Sequence, residues 1–248
     1  EDGTVTLTGN YSDPGVPDTH TLTIDWGEGL PQVVSVTAGA FSITHKYLDD
    51  NPTLTSSDTY SIGLSLADDD GGTATASTGT TVNNVAPTLL TLNVTPSINE
   101  DGTVTLTGTY SDPGTQDTHE LLVNWGDGGG TAKYGVSSGS FSITYKYLDD
   151  NPTGTASDAY AIGVTLTDDD GGTATATRTV TVTNVAPVIG TLTVVTPETG
   201  NTFSLSGTFT DLGKADTHTA MINWGDGTPS TPAVITESSE KMISIAAI

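Results

Sequence analysis

The chain has no cysteine in 248 residues, and only six lysines and arginines stand against 30 aspartates and glutamates. Without cysteine there is no disulfide framework and no thiolate zinc site, which fits a bacterial or archaeal surface protein. The basic residues are Lys46, Lys133, Lys146, Arg178, Lys214 and Lys241, and the formal charge is −24. Such a surface repels nucleic acid and anionic membranes and attracts cations. Nucleic acid is therefore excluded as a partner. No apolar run approaches the ~20 residues that cross a bilayer, so direct membrane insertion is not expected either. Helix signals are also scarce, because no window sustains i, i+3, i+4 apolar spacing.

What the sequence does have is repetition. Trp26, Trp125 and Trp224 stand 99 residues apart, each opening a W-G-[ED]-G turn. Asp18-Thr19-His20 recurs as Asp117-Thr118-His119 and as Asp216-Thr217-His218. Phe41-Ser42-Ile43-Thr44 recurs at 141–144, and Tyr47-Leu48-Asp49-Asp50-Asn51-Pro52 at 147–152. A residue present in every copy serves the module, not one special site, and that moves the question from catalysis to what an array is for. About 100 residues per copy is enough for an independent core. The chain opens with Glu1-Asp2-Gly3-Thr4-Val5, which matches Glu100-Asp101-Gly102-Thr103-Val104. It is thus expected to begin inside a repeat, to end inside another, and to be a segment of something longer.

Alternation of period two marks strands. Thr4-Val5-Thr6-Leu7-Thr8 alternates threonine with aliphatic residues, and Leu22, Ile24 and Trp26 share one face. Breakers fall between the runs: Asp13-Pro14-Gly15, Gly27-Glu28-Gly29, Asn51-Pro52 and Gly71-Gly72. In the second repeat, strands are expected near 88–94, 103–109, 119–125, 132–136, 141–147, 159–167 and 173–182. Seven short strands with a tryptophan on the third predict an all-β fold of tandem immunoglobulin-like β-sandwiches. The modules are expected at 1–84 (lacking its first strand), 85–184 (complete) and 185–248 (lacking its last strands). Asn83-Asn84-Val85-Ala86-Pro87 and Thr183-Asn184-Val185-Ala186-Pro187 join them, short and proline-bearing, hence stiff compared with Gly/Ser linkers.

Ser111-Asp112-Pro113-Gly114, Asp117-Thr118-His119, Trp125-Gly126-Asp127-Gly128, Tyr160, Leu166-Thr167-Asp168-Asp169-Asp170-Gly171-Gly172 and Val182-Thr183-Asn184-Val185-Ala186-Pro187 together make a pattern. That pattern resembles the PKD (polycystic kidney disease) domain in its tandem bacterial and archaeal surface-protein form. The resemblance spans the chain, with the first and third copies partial. It implies an immunoglobulin-type sandwich, an extracellular or cell-surface setting, and no catalytic residues. Copy one departs from it at Gly27-Glu28-Gly29, and copy three at Asp211-Leu212-Gly213 and in the drift after Trp224 to Lys241-Met242.

His20, His119 and His218 each follow Asp-Thr at one register. Three identical active sites in tandem would be odd, and no serine sits on a nucleophile elbow. The structural expectation is that aspartate and histidine hydrogen-bond across the loop entering the tryptophan strand. Trp26, Trp125 and Trp224 are expected as core anchors, not exposed sugar platforms, because they share a face with aliphatic residues. The W-G-D-G turns lack the lysine and helix of a phosphate loop.

The acidic clusters carry the one chemical hypothesis. Asp168-Asp169-Asp170 precedes Gly-Gly, as Asp68-Asp69-Asp70 does, while Asp49 and Asp50, like Asp149 and Asp150, lie in a longer loop. Hard oxygen ligands at this density suit Ca²⁺, though the spacing is not that of an EF-hand. The competing reading is a solvated polar turn. Strands running alternately up and down would bring Glu28, Asp49, Asp50 and Asp58 of the first repeat against Asp112, Asp117 and Asp168–Asp170 of the second. Asp127, Asp149 and Asp150 would meet Asp211 and Asp216 in the same way. Two unit charges ~4 Å apart repel by about 1 kcal/mol even in bulk water. The candidate calcium ligands are therefore Asp49, Asp50, Asp112, Asp117, Asp168, Asp169 and Asp170.

These residues favour a non-enzymatic structural array, a stalk, fibre or adhesin segment stiffened by calcium where modules meet. Its partners would be neighbouring repeats and like chains in a fibre. Two other readings stand beside it. One is a protein- or carbohydrate-binding accessory of a secreted hydrolase, which calls for exposed strand aromatics, and Tyr134 is the only one on an apparent edge strand. The other is a self-assembling filament or surface-layer subunit, built by strand donation between chains.

Overall fold

A computed structural model of the chain describes residues 1–15, 17–37, 39–51, 53–137, 139–195, 204–236 and 243–247. Pro52, Lys241 and Met242, named above, lie outside the described residues. The first repeat contributes β1 (Gly3–Tyr11), β2 (His20–Asp25), β3 (Gln32–Val36), β4 (Gly39–Tyr47), β5 (Ser57–Asp68) and β6 (Thr73–Asn83). The second contributes β7 (Thr88–Val94), β8 (Ser97–Asn99), β9 (Thr103–Ser111), β10 (His119–Asn124), β11 (Thr131–Val136), β12 (Ser140–Lys146), β13 (Ser157–Asp168) and β14 (Thr173–Thr183). The third contributes β15 (Val188–Val195), β16 (Ser204–Thr210), β17 (Met221–Ile222), β18 (Thr231–Pro232), β19 (Val234–Thr236) and β20 (Ile243–Ala247). The fold is all-β and immunoglobulin-like, and among the described residues no helix is long and apolar enough to cross a membrane.

In the second repeat, one sheet runs β12-β9-β7 and the other β11-β10-β13-β14-β8. Every pair is antiparallel except β14 with β8. The seven expected strands all form, and the short β8 is an eighth. Alternation sets the two inner faces. Val104 and Leu106 from one sheet meet Leu121, Val123, Ile162, Val164 and Leu166 from the other, all buried. Fully burying such a side chain is worth roughly 1.5–3 kcal/mol against leaving it in water, so this layer accounts for the fold without disulfides.

The tryptophan closes the pole of the sandwich where the W-G-D-G turn lies. Trp26 and Trp125 are buried, and the Tyr47 and Tyr147 hydroxyls donate to their carbonyls at 2.8 and 2.7 Å. Gly126 follows at φ 82°, where a Cβ would sit 2.6 Å from the Ala161 carbonyl oxygen, so the turn requires glycine.

The first and third repeats are less enclosed. The first forms β1-β4 against β3-β2-β5-β6. Its β6 is exposed almost throughout, whereas β14 alternates, because β7 packs on β14 and no described strand holds that place beside β6. The third forms β15-β16-β20-β19 and the two-residue pair β17-β18. Here the expectation of a buried Trp224 needs correction. Trp224 is only half-buried, since β17 pairs with β18 alone and no described strand flanks it as β13 flanks β10. Val188, Ile189 and Leu192 on β15 are likewise exposed.

Candidate metal centre

The loops are built first by aspartates bonding to their own backbone. Asp112 Oδ1 accepts the Gly114 amide at 3.2 Å, and Asp112 Oδ2 meets His119 Nε2 at 2.9 Å. The same pair forms between Asp13 and His20 and between Asp211 and His218, at 2.9 and 2.8 Å. The partner of each histidine is therefore the aspartate of the preceding turn, seven residues upstream, and not the one in Asp-Thr-His. The His119 ring is buried and tilted against Tyr110 with centroids 4.9 Å apart. This histidine braces a loop.

The three consecutive aspartates divide. Asp168 Oδ1 accepts the Gly172 amide at 2.6 Å, closing its own turn, and Oδ2 accepts from Asn84 Nδ2 at 3.2 Å. Asp169 Oδ1 accepts the Thr118 amide at 2.7 Å. Asp170, buried and with Oδ1 lacking a hydrogen-bond partner among the described residues, turns toward the acidic loop of the preceding repeat, where it faces Asp50. Glu28, Asp58 and Asp127, also expected at junctions, are held inside their own repeats by His45, Thr53 and Tyr145.

The decisive residue at each junction is one that spacing did not single out. Glu1 Oε1 accepts the amide of the linker residue Val85 at 2.8 Å, and Glu100 Oε1 accepts that of Val185 at 2.7 Å. The other oxygen of each is buried without a partner. The recurrence of Glu-Asp-Gly-Thr-Val was the available signal. Around Glu100 stand Asp149, Asp150 and Asp216, with one carboxylate oxygen from each within 4.8 Å of the others. Asp216 belongs to the third repeat and the rest to the second. At the first junction Glu1 groups with Asp49 and Asp50, and again with Asp112 and Asp117. Asp50 is fully buried, and among the described residues neither of its oxygens, nor either of Asp117's, has a hydrogen-bond partner.

The backbone locks the same contact at both places. The Thr115 amide donates to the Leu48 carbonyl at 3.4 Å, and the Lys214 amide to that of Leu148 at 3.3 Å. The Ala215 amide also donates to Asp149 Oδ2, at 2.5 Å.

Electrostatics follow from burial of like charges. Burial, with Glu1 and Asp49 adding to it, pushes the Asp117 carboxyl up to about 8. Asp170 rises to about 6 for the same reason, with Asp50 the first charge against it. Glu1 rises to about 7, mainly by burial and despite the Val85 amide. Asp50, Glu100, Asp150 and Asp216 are also raised, burial first. A buried carboxylate without a partner is costly. It takes up a proton or meets a cation, and oxygen-only sets of this density are what Ca²⁺ coordinates, with about six to eight ligands.

No family model matches the chain, and no curated protein does.

Proposed function

We propose that the chain is a non-enzymatic array of PKD-like sandwiches. It serves outside the cell or on its surface as a stalk, fibre or adhesin segment, with calcium at the junctions between repeats. The observation that carries this reading is that both junctions are made by the same residues of the repeat. Glu1 and Glu100 each take a linker amide, Leu48 and Leu148 each take an amide from the next repeat, and an Asp-Asp pair stands beside each glutamate. A contact repeated at equivalent positions propagates one inter-repeat geometry along an array, which is what a spacer needs and what a single active site does not. The motif resemblance supports the PKD assignment, and the acidic surface supports an ion-rich setting.

Calcium would be held by Glu1, Asp49, Asp50, Asp117 and Asp170 at the first junction, and by Glu100, Asp149, Asp150 and Asp216 at the second. It would supply positive charge between surfaces that otherwise repel. Small-angle scattering and thermal melting with calcium and with chelator test the reading. The expected result is a change of maximum dimension on chelation while each sandwich stays folded, since the cores rest on apolar packing. An unchanged dimension together with an unchanged melting temperature would leave solubility as the reason for the charge.

A further inference from the structure

Glu1 belongs to two carboxylate groups at once. Its carboxylate lies with those of Asp49 and Asp50 in its own repeat, and equally with those of Asp112 and Asp117 in the next, with ligand oxygens within 4.8 Å of one another in each group. Oε1 is engaged by the Val85 amide, and Oε2 is buried and unpartnered. Unpartnered buried oxygens stand on both sides of it, Asp50 Oδ1 and Oδ2 on one side and Asp117 Oδ1 and Oδ2 on the other. The ligand-seeking oxygens are therefore spread over two places that meet at the glutamate.

Charge decides how many cations such a place takes. Glu1, Asp49, Asp50, Asp117 and Asp170 bring five negative charges when ionised. One divalent ion leaves three of these charges uncancelled in a buried space, and two ions leave one. Asp112 adds a sixth charge, although both of its oxygens are already engaged, by the Gly114 amide and the His119 ring. The second junction is also crowded with carboxylates. Glu100, Asp149, Asp150 and Asp216 bring four negative charges, and Asp216 also belongs to a second group with Asp211 and His218. Overlapping sets that share one carboxylate thus occur at both junctions, through Glu1 at the first and through Asp216, beside the bonded Asp211–His218 pair, at the second.

We propose that each junction holds a pair of calcium-type divalent cations bridged by a shared carboxylate, and that at the first junction the bridge is Glu1. This rests on the junction-calcium reading above and adds the number of ions and the residue that couples them. One ion is bound on the side of Asp49, Asp50 and Asp170, and the other on the side of Asp117. Because the free oxygen of Glu1 serves both ions while its other oxygen holds the linker, ion binding and linker position are tied through one side chain.

Equilibrium dialysis of the whole chain against calcium chloride counts bound ions in the wild type and in three near-isosteric variants. Asp50→Asn and Asp117→Asn are expected to lose one equivalent each, and Glu1→Gln two. Loss of one equivalent or none in Glu1→Gln overturns the bridge. A wild type that binds no calcium overturns the junction-calcium reading itself, so the two failures are distinct. Terbium-to-europium luminescence transfer on the wild-type chain gives a second measure that needs no variant. Transfer between neighbouring ions is expected, reduced in Glu1→Gln to the share of the second junction, and absence of transfer at saturating lanthanide overturns the pair.

Discussion

Asp50 of the first repeat and Asp170 of the second face each other across their junction, and neither oxygen of Asp50 has a hydrogen-bond donor. Two acceptors opposed in this way are compatible only when a proton or a cation lies between them. A cation bound at the junction would therefore compete with proton uptake there.

That competition fixes the sign of a pH effect in calcium-free buffer. Asp170 rises from 3.8 to about 6, Glu1 from 4.5 to about 7, and Asp117 from 3.8 to about 8. A carboxyl with a raised folded-state value contributes stability that is complete below its unfolded value and is lost as pH climbs through the folded one. The melting temperature without calcium is therefore expected to fall between roughly pH 4 and 8, the window these three shifts span. Calcium should flatten the fall. A melting temperature that rises across the window in calcium-free buffer would contradict the placement of these groups.

Trp125 is 2% exposed and stacks on Tyr145 with ring centroids 4.6 Å apart. Trp125→Ala is expected to cost roughly 3–5 kcal/mol in urea unfolding, the range for large aromatics in cores. Trp26→Ala should cost a similar amount, since Trp26 is 1% exposed and stacks on His45. Trp224→Ala should cost clearly less, because that residue is only partly buried. Equal losses at all three positions would contradict the difference in enclosure.

The strands of the second repeat were legible because alternation is a local signal, and their ends fall within two residues of expectation. The exception is Ser97–Asn99, a run of three residues directly after Pro96, too short to alternate visibly and paired in parallel with the distant β14, Ser97 opposite Thr181. Junction chemistry was legible only in part. Strand direction brought Asp49 and Asp50 together with Asp117, yet three adjacent aspartates look alike in sequence. Which of them turns outward depends on the loop that Asp168 and Asp169 themselves build. Glu100 was missed because a lone glutamate in a turn has no ligand spacing. Its role comes from Val185, 85 residues on, which only the fold brings to it.

The His119–Asp112 pair is expected to matter for stability and not for turnover. His119→Ala removes the group at 2.9 Å from Asp112 and leaves a buried carboxylate short of a partner. A loss of about 1–3 kcal/mol is expected in denaturant unfolding. Ester and peptide substrates should be turned over at the uncatalysed rate by wild type and variant alike. A measurable hydrolysis that disappears in the variant would reverse this assignment.

Gly172 offers the most direct handle on the linker. A Cβ there would lie 2.3 Å from Asp168 Oδ2, a side chain that can shift, and 2.7 Å from the Cα of Ala86 and 2.9 Å from its Cβ. Ala86 belongs to the connection whose neighbours are already fastened, Asn84 to Asp168 and Val85 to Glu1. Backbone at that distance has no side-chain torsion by which to yield, so Gly172→Ala must push the linker off the Asp168–Gly172 turn. The change lies at the rim of the second sandwich, away from the Val104, Leu121 and Ile162 layer, and the unfolding free energy of that sandwich should fall by no more than about 1–2 kcal/mol. The first junction should suffer more. Calcium affinity is expected to drop, and the scattering dimension measured with calcium should move toward the value measured with chelator. If Gly172→Ala leaves both affinity and dimension at wild-type values, the linker does not set the approach of Asp170 to Asp50.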